Sequence, residues 1–257
     1  MNIVSFSGGK DSTAMLLMML EKGIQVDRVI FVDTTKEFPQ MYEHIAKVQE
    51  MIKPIKIETV KIDFDYWFAE HIRTKGRWKG QKGYGWPDIH NRWCTGLKRE
   101  AYNHVVFGVT HNPYKRKENV GNNSKKDIVE FIGIAYDEKH RTQHNKQHFK
   151  NRNVKYPLVE YGITEKQALE YCYKNGLDWG GLYEKLSRIS CYCCPLQRIN
   201  ELRVLYNEFP ELWTEMIEMG KKSHRKFRPD YSLKELTKRF EQENRQIKYS
   251  LVKDENG

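Results

Sequence analysis

Residues 2–12 read Asn-Ile-Val-Ser-Phe-Ser-Gly-Gly-Lys-Asp-Ser, a short apolar strand running into a glycine pair, a lysine and an Asp-Ser step that can open a helix. This is a phosphate-binding loop by its chemistry. Gly8 and Gly9 lack a Cβ, so their backbone can take positive φ and approach an anion closely. The following helix points its unpaired N–H groups and positive dipole end at the same point. Lys10 adds a full charge, and Ser7 and Ser12 offer hydroxyl donors to phosphate oxygens. Asp11 suits the loop amides or a magnesium ion better than a phosphate. Ala14, Met15, Leu17, Met18 and Leu20 make the helix apolar nearly all round until Gly23 stops it, so it is buried against a sheet.

The spacing is neither the Walker pattern, with four residues between its first glycine and Gly-Lys-Ser/Thr, nor the dinucleotide pattern of spaced glycines. Ser-Gly-Gly-Lys-Asp-Ser resembles the PP-loop of the adenine nucleotide alpha hydrolase superfamily, whose members cleave ATP between the α and β phosphates. The competing reading is a strand-to-helix turn that uses glycine for geometry alone.

The remaining pattern is that of an α/β layered domain. Residues 28–33 form a continuous apolar strand, 39–53 a helix opened by Pro39, and 55–62 a third strand. In open parallel sheets the ligand lies beyond the carboxyl ends of the strands, where the loop, Asp33 and Thr34 would all sit. Residues 105–109 and 129–135 read as further strands. Thr164 with Gln167 predicts a capping box and a helix to about Lys174, Pro210 a helix start, and Ser232 with Glu235 the cap of a last basic helix. The fold expected is a mostly parallel sheet with helices on both faces over residues 1–162, then a helical region over 163–257 that carries a cysteine cluster.

At 39% hydrophobic residues, with no apolar run near the ~20 residues of a membrane span, a cytoplasmic protein with no membrane partner is expected. Five cysteines, three of them in Cys191-Tyr192-Cys193-Cys194, fit a reducing compartment and suggest metal or sulfur chemistry. Lys and Arg number 44 against 34 Asp and Glu, a net +10, and the excess is clustered at 114–117, 125–126, 140–152 and 221–228. A phosphate-bearing partner such as tRNA or DNA would explain this, as would a solvated basic face or a site adapted to a nucleotide. Residues 75–93 alternate glycine, aromatic and basic residues. They read either as a substrate loop, with Trp78, Tyr84 and Trp86 stacking on a base while Arg77, Lys79 and Lys82 meet phosphates, or as a surface loop that tucks its aromatics into a local cluster. His140, His144 and His148 share one helical face and could ligate a metal, although their polar setting favours an exposed run. Cys172 falls on an apolar helix face and reads as core.

Further motifs follow in order: Arg92-Trp93-Cys94-Thr95-Gly96-Leu97-Lys98, Ile132-Gly133-Ile134-Ala135-Tyr136-Asp137-Glu138-Lys139-His140-Arg141, Tyr156-Pro157-Leu158, Gly181-Leu182-Tyr183 and Ser190-Cys191-Tyr192-Cys193-Cys194-Pro195-Leu196. Together with the PP-loop they resemble the phosphoadenosine phosphosulfate (PAPS) reductase family over residues 1 to about 200. The resemblance implies an adenine nucleotide held by Ser7, Gly8, Gly9, Lys10, Asp11, Ser12, Asp33, Thr34 and Gly133, with Lys10 and Asp11 as catalytic groups. It also implies phosphate contacts from Arg92, Lys98 and Arg141. Two positions depart from the family pattern: Asp-Thr-Gly in many relatives is Asp33-Thr34-Thr35 here, and the usual arginine after Gly-Ile is Ala135.

No cysteine follows Cys194 in the sequence, so the C-terminal thiol with which sulfonucleotide reductases attack sulfur is not expected to act here. What remains is similar to the family's non-reductase branch, which activates a substrate by adenylylation from ATP with magnesium, releases pyrophosphate, and passes sulfur from a donor protein, in some members to nucleic acid. The alternatives are a reductase that releases sulfite from PAPS or adenosine phosphosulfate, or a non-catalytic nucleic-acid-binding relative. Cys94, Cys191, Cys193 and Cys194 make four thiols suited to an iron-sulfur cluster, in preference to zinc. A metal-free reduced group and a persulfide relay are the other readings.

Overall fold

A computed structural model describes residues 1–108, 127–143 and 152–255, with side chains to 246. The order is β1 (Asn2–Phe6), α1 (Lys10–Glu21), β2 (Arg28–Asp33), α2 (Pro39–Met51), β3 (Ile57–Lys61), α3 (Trp93–Phe107), β4 (Val129–Ile132) and β5 (Asn153–Lys155), followed by helices. All strand pairs are parallel, in the sheet order β3-β2-β1-β4-β5. β1 is central, with Val4 opposite Val29 on one side and Phe131 on the other. Flanked by strands on both sides, β1 and β2 are mostly apolar, β2 in an unbroken run from Val29 to Val32 and β1 interrupted at Ser5, and Ile3, Val4, Val29 and Ile30 are fully buried.

The chain divides into two compact units, residues 1–62 with 95–183, and residues 63–94 with 184–257. The first holds the sheet. Its core gathers Ile3, Ile30, Tyr102, Val106, Phe107 and Ile128. Residues 105–107 are therefore the last turn of a helix, not the strand their β-branched pair suggests. Tyr102 and Val106, four residues apart, pack on one helical face against Ile3 and Ile30, and this tertiary burial overrides local strand preference. The Gly108 N–H closes the helix on the His104 carbonyl at 2.9 Å. The strand expected at 129–135 ends at Ile132, just before Gly133.

The helical starts fall where the caps place them. Thr164 and Gln167 form a reciprocal capping box ahead of the helix Glu165–Lys174, and Pro210 opens Pro210–Lys222. The Ser232 hydroxyl and Glu235 carboxylate cap Leu233–Glu255.

The second unit has an aromatic core. Trp86, 1% exposed, meets Phe227 edge-on at 4.9 Å and Phe68 at 4.8 Å. Tyr84 stacks on Trp93 at 5.5 Å. Both take the local-cluster reading of their loop, whereas Trp78 stays 43% exposed. Of the histidine run, His144 and His148 lie outside the described residues, as do the basic residues 115–117 and 125–126. No helix among the described residues is long and apolar enough to cross a membrane.

Candidate functional site

The strand order reverses at β1: β2 and β3 lie to one side, and the chain then crosses to place β4 and β5 on the other. A crevice opens at such a switch point, beyond the carboxyl ends of β1 and β4. The two segments leaving those ends are the phosphate loop and Gly133. A Cβ on Gly133 would sit 2.7 Å from the backbone N and Cα of Ser12, so only glycine lets the β4 exit lie against the first turn of α1. Gly8 is required by its φ of 77°, and a Cβ there would also press on the Met41 sulfur at 2.6 Å.

The loop is braced from within and from distant residues. The Ser7 and Ser12 hydroxyls lie 3.0 Å apart, and Ser12 donates to the Gly9 carbonyl at 3.0 Å. The Trp179 indole donates to the Gly8 carbonyl at 2.8 Å and stacks on His44 at 4.1 Å, whose Nε2 is 3.0 Å from the Thr13 hydroxyl. Burial drives the His44 pKa down to about 3, with Lys47 adding to the effect. The Tyr183 hydroxyl accepts from the Lys10 N–H at 2.9 Å, occupying one amide of the helix start.

The Lys10 ammonium lies 3.2 Å from Asp11 and 2.7 Å from Glu165. Burial works to lower its pKa, but the two carboxylates outweigh this and hold it above its ordinary value. Burial likewise raises Asp11, against the opposing pull of Lys10. Glu138 completes a group in which one carboxylate oxygen each from Asp11, Glu138 and Glu165 lies within 4.8 Å of the others. Asp11 Oδ1 is buried and makes no hydrogen bond among the described residues. An all-oxygen set with an orphaned carboxylate oxygen fits a hard divalent cation such as magnesium.

Arg141 pairs with Glu138, on the edge of this group. Lys98 pairs with Glu37 at 2.9 Å, and Glu37 also accepts from the Thr34 hydroxyl. Asp33 is buried, its Oδ1 accepting from the Thr35 N–H at 2.7 Å and the Tyr42 hydroxyl at 2.9 Å. Thr35 holds φ 62°, the left-handed conformation that a glycine would take without strain and a β-branched residue rarely does. Glu138, Glu165, Trp179 and Tyr183 were not singled out as site residues by sequence reasoning. Glu138 and Tyr183 appeared there only inside motif strings.

Residues 1–197 match the phosphoadenosine phosphosulfate reductase domain. The chain belongs to that family. The matched span includes the phosphate loop, Gly133, Tyr183 and the cysteine cluster. The chain is also 27% identical over 219 residues to an uncharacterized protein of Methanocaldococcus jannaschii, covering 82% of this chain and 39% of that protein. A second uncharacterized protein of the same organism is 24% identical over 220 residues, covering 85% of this chain and 47% of that one. The chain thus spans less than half the length of these curated relatives.

In the second unit the Cys191–Cys194 motif forms a tight turn. The Cys194 N–H donates to the Cys191 carbonyl at 3.1 Å, and the Gln197 side chain donates to the carbonyls of Cys191 and Tyr192 at 3.1 and 2.8 Å. Arg228 donates to the carbonyls of Pro195 and Gln197 at 2.8 and 2.7 Å. None of the five cysteines is in a disulfide. Cys94, Cys191 and Cys194 are half-buried and Cys193 is buried. Burial raises the Cys194 thiol, while a hydrogen bond from the Leu196 N–H favours its thiolate; Cys94 raises it further, and Arg188 and Arg92 oppose. Arg92 is therefore a neighbour of the thiols. Cys172, buried beneath α1, has its thiol pushed up to about 12 by burial and is a core residue.

Proposed function

We propose that this chain binds ATP at the loop of residues 7–12 and cleaves it between the α and β phosphates to activate an acceptor for sulfur transfer. The acceptor oxygen attacks the α phosphorus, the bond to the bridging oxygen breaks, and pyrophosphate leaves with the electron pair. A sulfur nucleophile, from a donor protein, then displaces AMP from the acceptor. Lys10 and the loop amides stabilise charge gathering on the leaving pyrophosphate, which is electrostatic rather than acid–base catalysis.

The observation that carries this reading is the convergence of Lys10, the start of α1 and the Asp11–Glu138–Glu165 oxygens beside the close backbone approach of Gly133. Asp11, Glu138 and Glu165 would hold the magnesium ion. When bound, the ion neutralises phosphate charge. Cys94, Cys191 and Cys194, with or without Cys193, would hold an iron-sulfur cluster in the second unit. The reductase alternative would need Cys193 or Cys194 as nucleophile; Cys193 is 2% exposed and burial raises the Cys194 thiol, both of which disfavour attack.

Calorimetric titration of the anaerobically purified chain with ATP, PAPS and adenosine phosphosulfate in the presence of magnesium tests the proposal. ATP-selective binding, with AMP and pyrophosphate formed on addition of acceptor, is the expected result. Selective binding of PAPS or adenosine phosphosulfate with sulfite release would replace it with the reductase reading.

A further inference from the structure

We propose that the second unit carries a binding surface for single-stranded nucleic acid, formed by residues 73–80 and the basic segment 221–226. It goes beyond the nucleotide reading and does not depend on it. The two segments are about 140 residues apart in sequence, and the fold fixes them side by side. The first is a closed loop: Arg73 and Gln81 join at 3.0 Å, Gly80 returns to the Arg73 carbonyl at 2.8 Å, and the Lys79 N–H closes on Gly76 at 3.1 Å. Its tip, Arg77-Trp78-Lys79, is thereby presented on a formed backbone. The second segment is pinned by the Ser223 hydroxyl on the Trp86 N–H at 3.3 Å, by the Arg225–Asp88 ion pair and by Phe227 against Trp86.

The charge is one-sided. Glu70, Asp88, Glu218 and Glu235 are already paired, with Lys82, Arg225, Lys221 and Lys226. Arg73, Arg77, Lys79 and Lys222 form no salt bridge among the described residues. Amid these cations stands an aromatic platform. Trp78 is 43% exposed, His224 lies 5.8 Å from it, and the Arg77 guanidinium is 5.1 Å over the indole. Burial first, then Arg225 and Arg73, hold His224 below its ordinary pKa, so the ring is neutral at pH 7.

An exposed indole under one unpaired guanidinium, on segments that carry further cations without salt bridges among the described residues, is the pairing that holds an unpaired base by its face and its neighbouring phosphates by charge. A duplex would engage the cations but offers no free base face to the indole. Single-stranded RNA and single-stranded DNA share this chemistry.

The test is fluorescence anisotropy on the full chain without ATP, using labelled oligouridylate, oligothymidylate and a DNA duplex. Both single strands, or one of them, should bind more tightly than the duplex, and the preferred strand identifies RNA or DNA. Trp78→Ala should weaken binding by about 5- to 100-fold. Replacing Arg77, Lys79 and Lys222 together by Ala should weaken it and flatten the log–log salt slope by about 2. Absence of single-strand binding at low salt overturns the proposal, as does wild-type affinity in both variants. Duplex binding equal to single-strand binding and indifferent to Trp78→Ala, or capture by phosphatidylserine vesicles in place of oligonucleotide, also overturns it.

Discussion

The Lys10 ammonium and the Glu165 carboxylate lie 2.7 Å apart, although 155 residues separate them. Glu165 opens its helix, and its own N–H is held by the Asp137 carboxylate at 3.1 Å, so it is delivered to the loop by a capped turn. A lysine in this position is charged, aimed and already neutralised by its carboxylate partners; under the proposed function a phosphate and a cation divide the pair between them. Lys10→Ala is expected to lower AMP formation from ATP by roughly 10²–10³-fold while the far-ultraviolet spectrum of the fold is retained. Glu165→Gln should instead shift the magnesium dependence to higher concentration, and removing magnesium with EDTA should stop turnover of the wild type. Full activity of Lys10→Ala would separate this loop from the chemistry.

Gly133→Ala places a methyl group 2.7 Å from Ser12 backbone atoms, which cannot swing aside as a side chain would. Overpacking of this kind costs about 1–3 kcal/mol. Urea denaturation should show that loss. Calorimetry should show weaker ATP binding, because the strain falls on the first turn of α1. Wild-type values in both measurements would mean that the two backbones separate freely.

His44 is predicted to make the fold acid-sensitive. Its folded pKa of about 3 lies below its ordinary 6.5, so the stability linked to its neutral state is present above 6.5 and lost as pH falls toward 3. The groups facing it are Lys47, which adds to the lowering, and Asp178, which opposes it. At about 1.4 kcal/mol per pH unit, stability at pH 5 should be about 2 kcal/mol below that at pH 7.5 from this residue. In His44→Gln that share of the pH dependence should vanish in urea titrations, with the general carboxylate contribution remaining. Parallel curves for the two proteins would show that His44 titrates normally.

For the cysteine cluster, anaerobic iron and sulfide analysis with a visible spectrum should detect a cluster in the wild type. It should be lost in Cys94→Ser, Cys191→Ser and Cys194→Ser. Cys172→Ser should keep its iron, since this buried thiol lies under α1. Iron retained by all three cluster variants would remove these thiols from any metal site.

Much of the fold was legible because its signals are local. The loop glycines, the apolar β2 run, the Thr164–Gln167 box and Pro210 each act within a few residues of themselves. Residues 105–107 were misread because a β-branched pair looks the same in a strand and at a helix end, and only the contact of Tyr102 and Val106 with Ile3 and Ile30 decides. Glu138, Glu165, Trp179 and Tyr183 reach the loop from 120 or more residues away. Nothing in their own neighbourhood marks that destination. Glu165 reads locally as an ordinary first-turn acid, and Trp179 as core. Asp33 and Thr34 are buried and bonded to their own loop, a detail that a motif alone does not contain.

The strand feeding the phosphate loop is hydrogen-bonded on both sides, and the loop's first glycine is tied down by an indole. If the loop holds a triphosphate as proposed, its receptor is set when the chain folds, with little backbone freedom left to surrender when nucleotide arrives. Capture should behave as a single docking event whose observed rate rises linearly with nucleotide concentration, without the plateau that a slow loop rearrangement would impose.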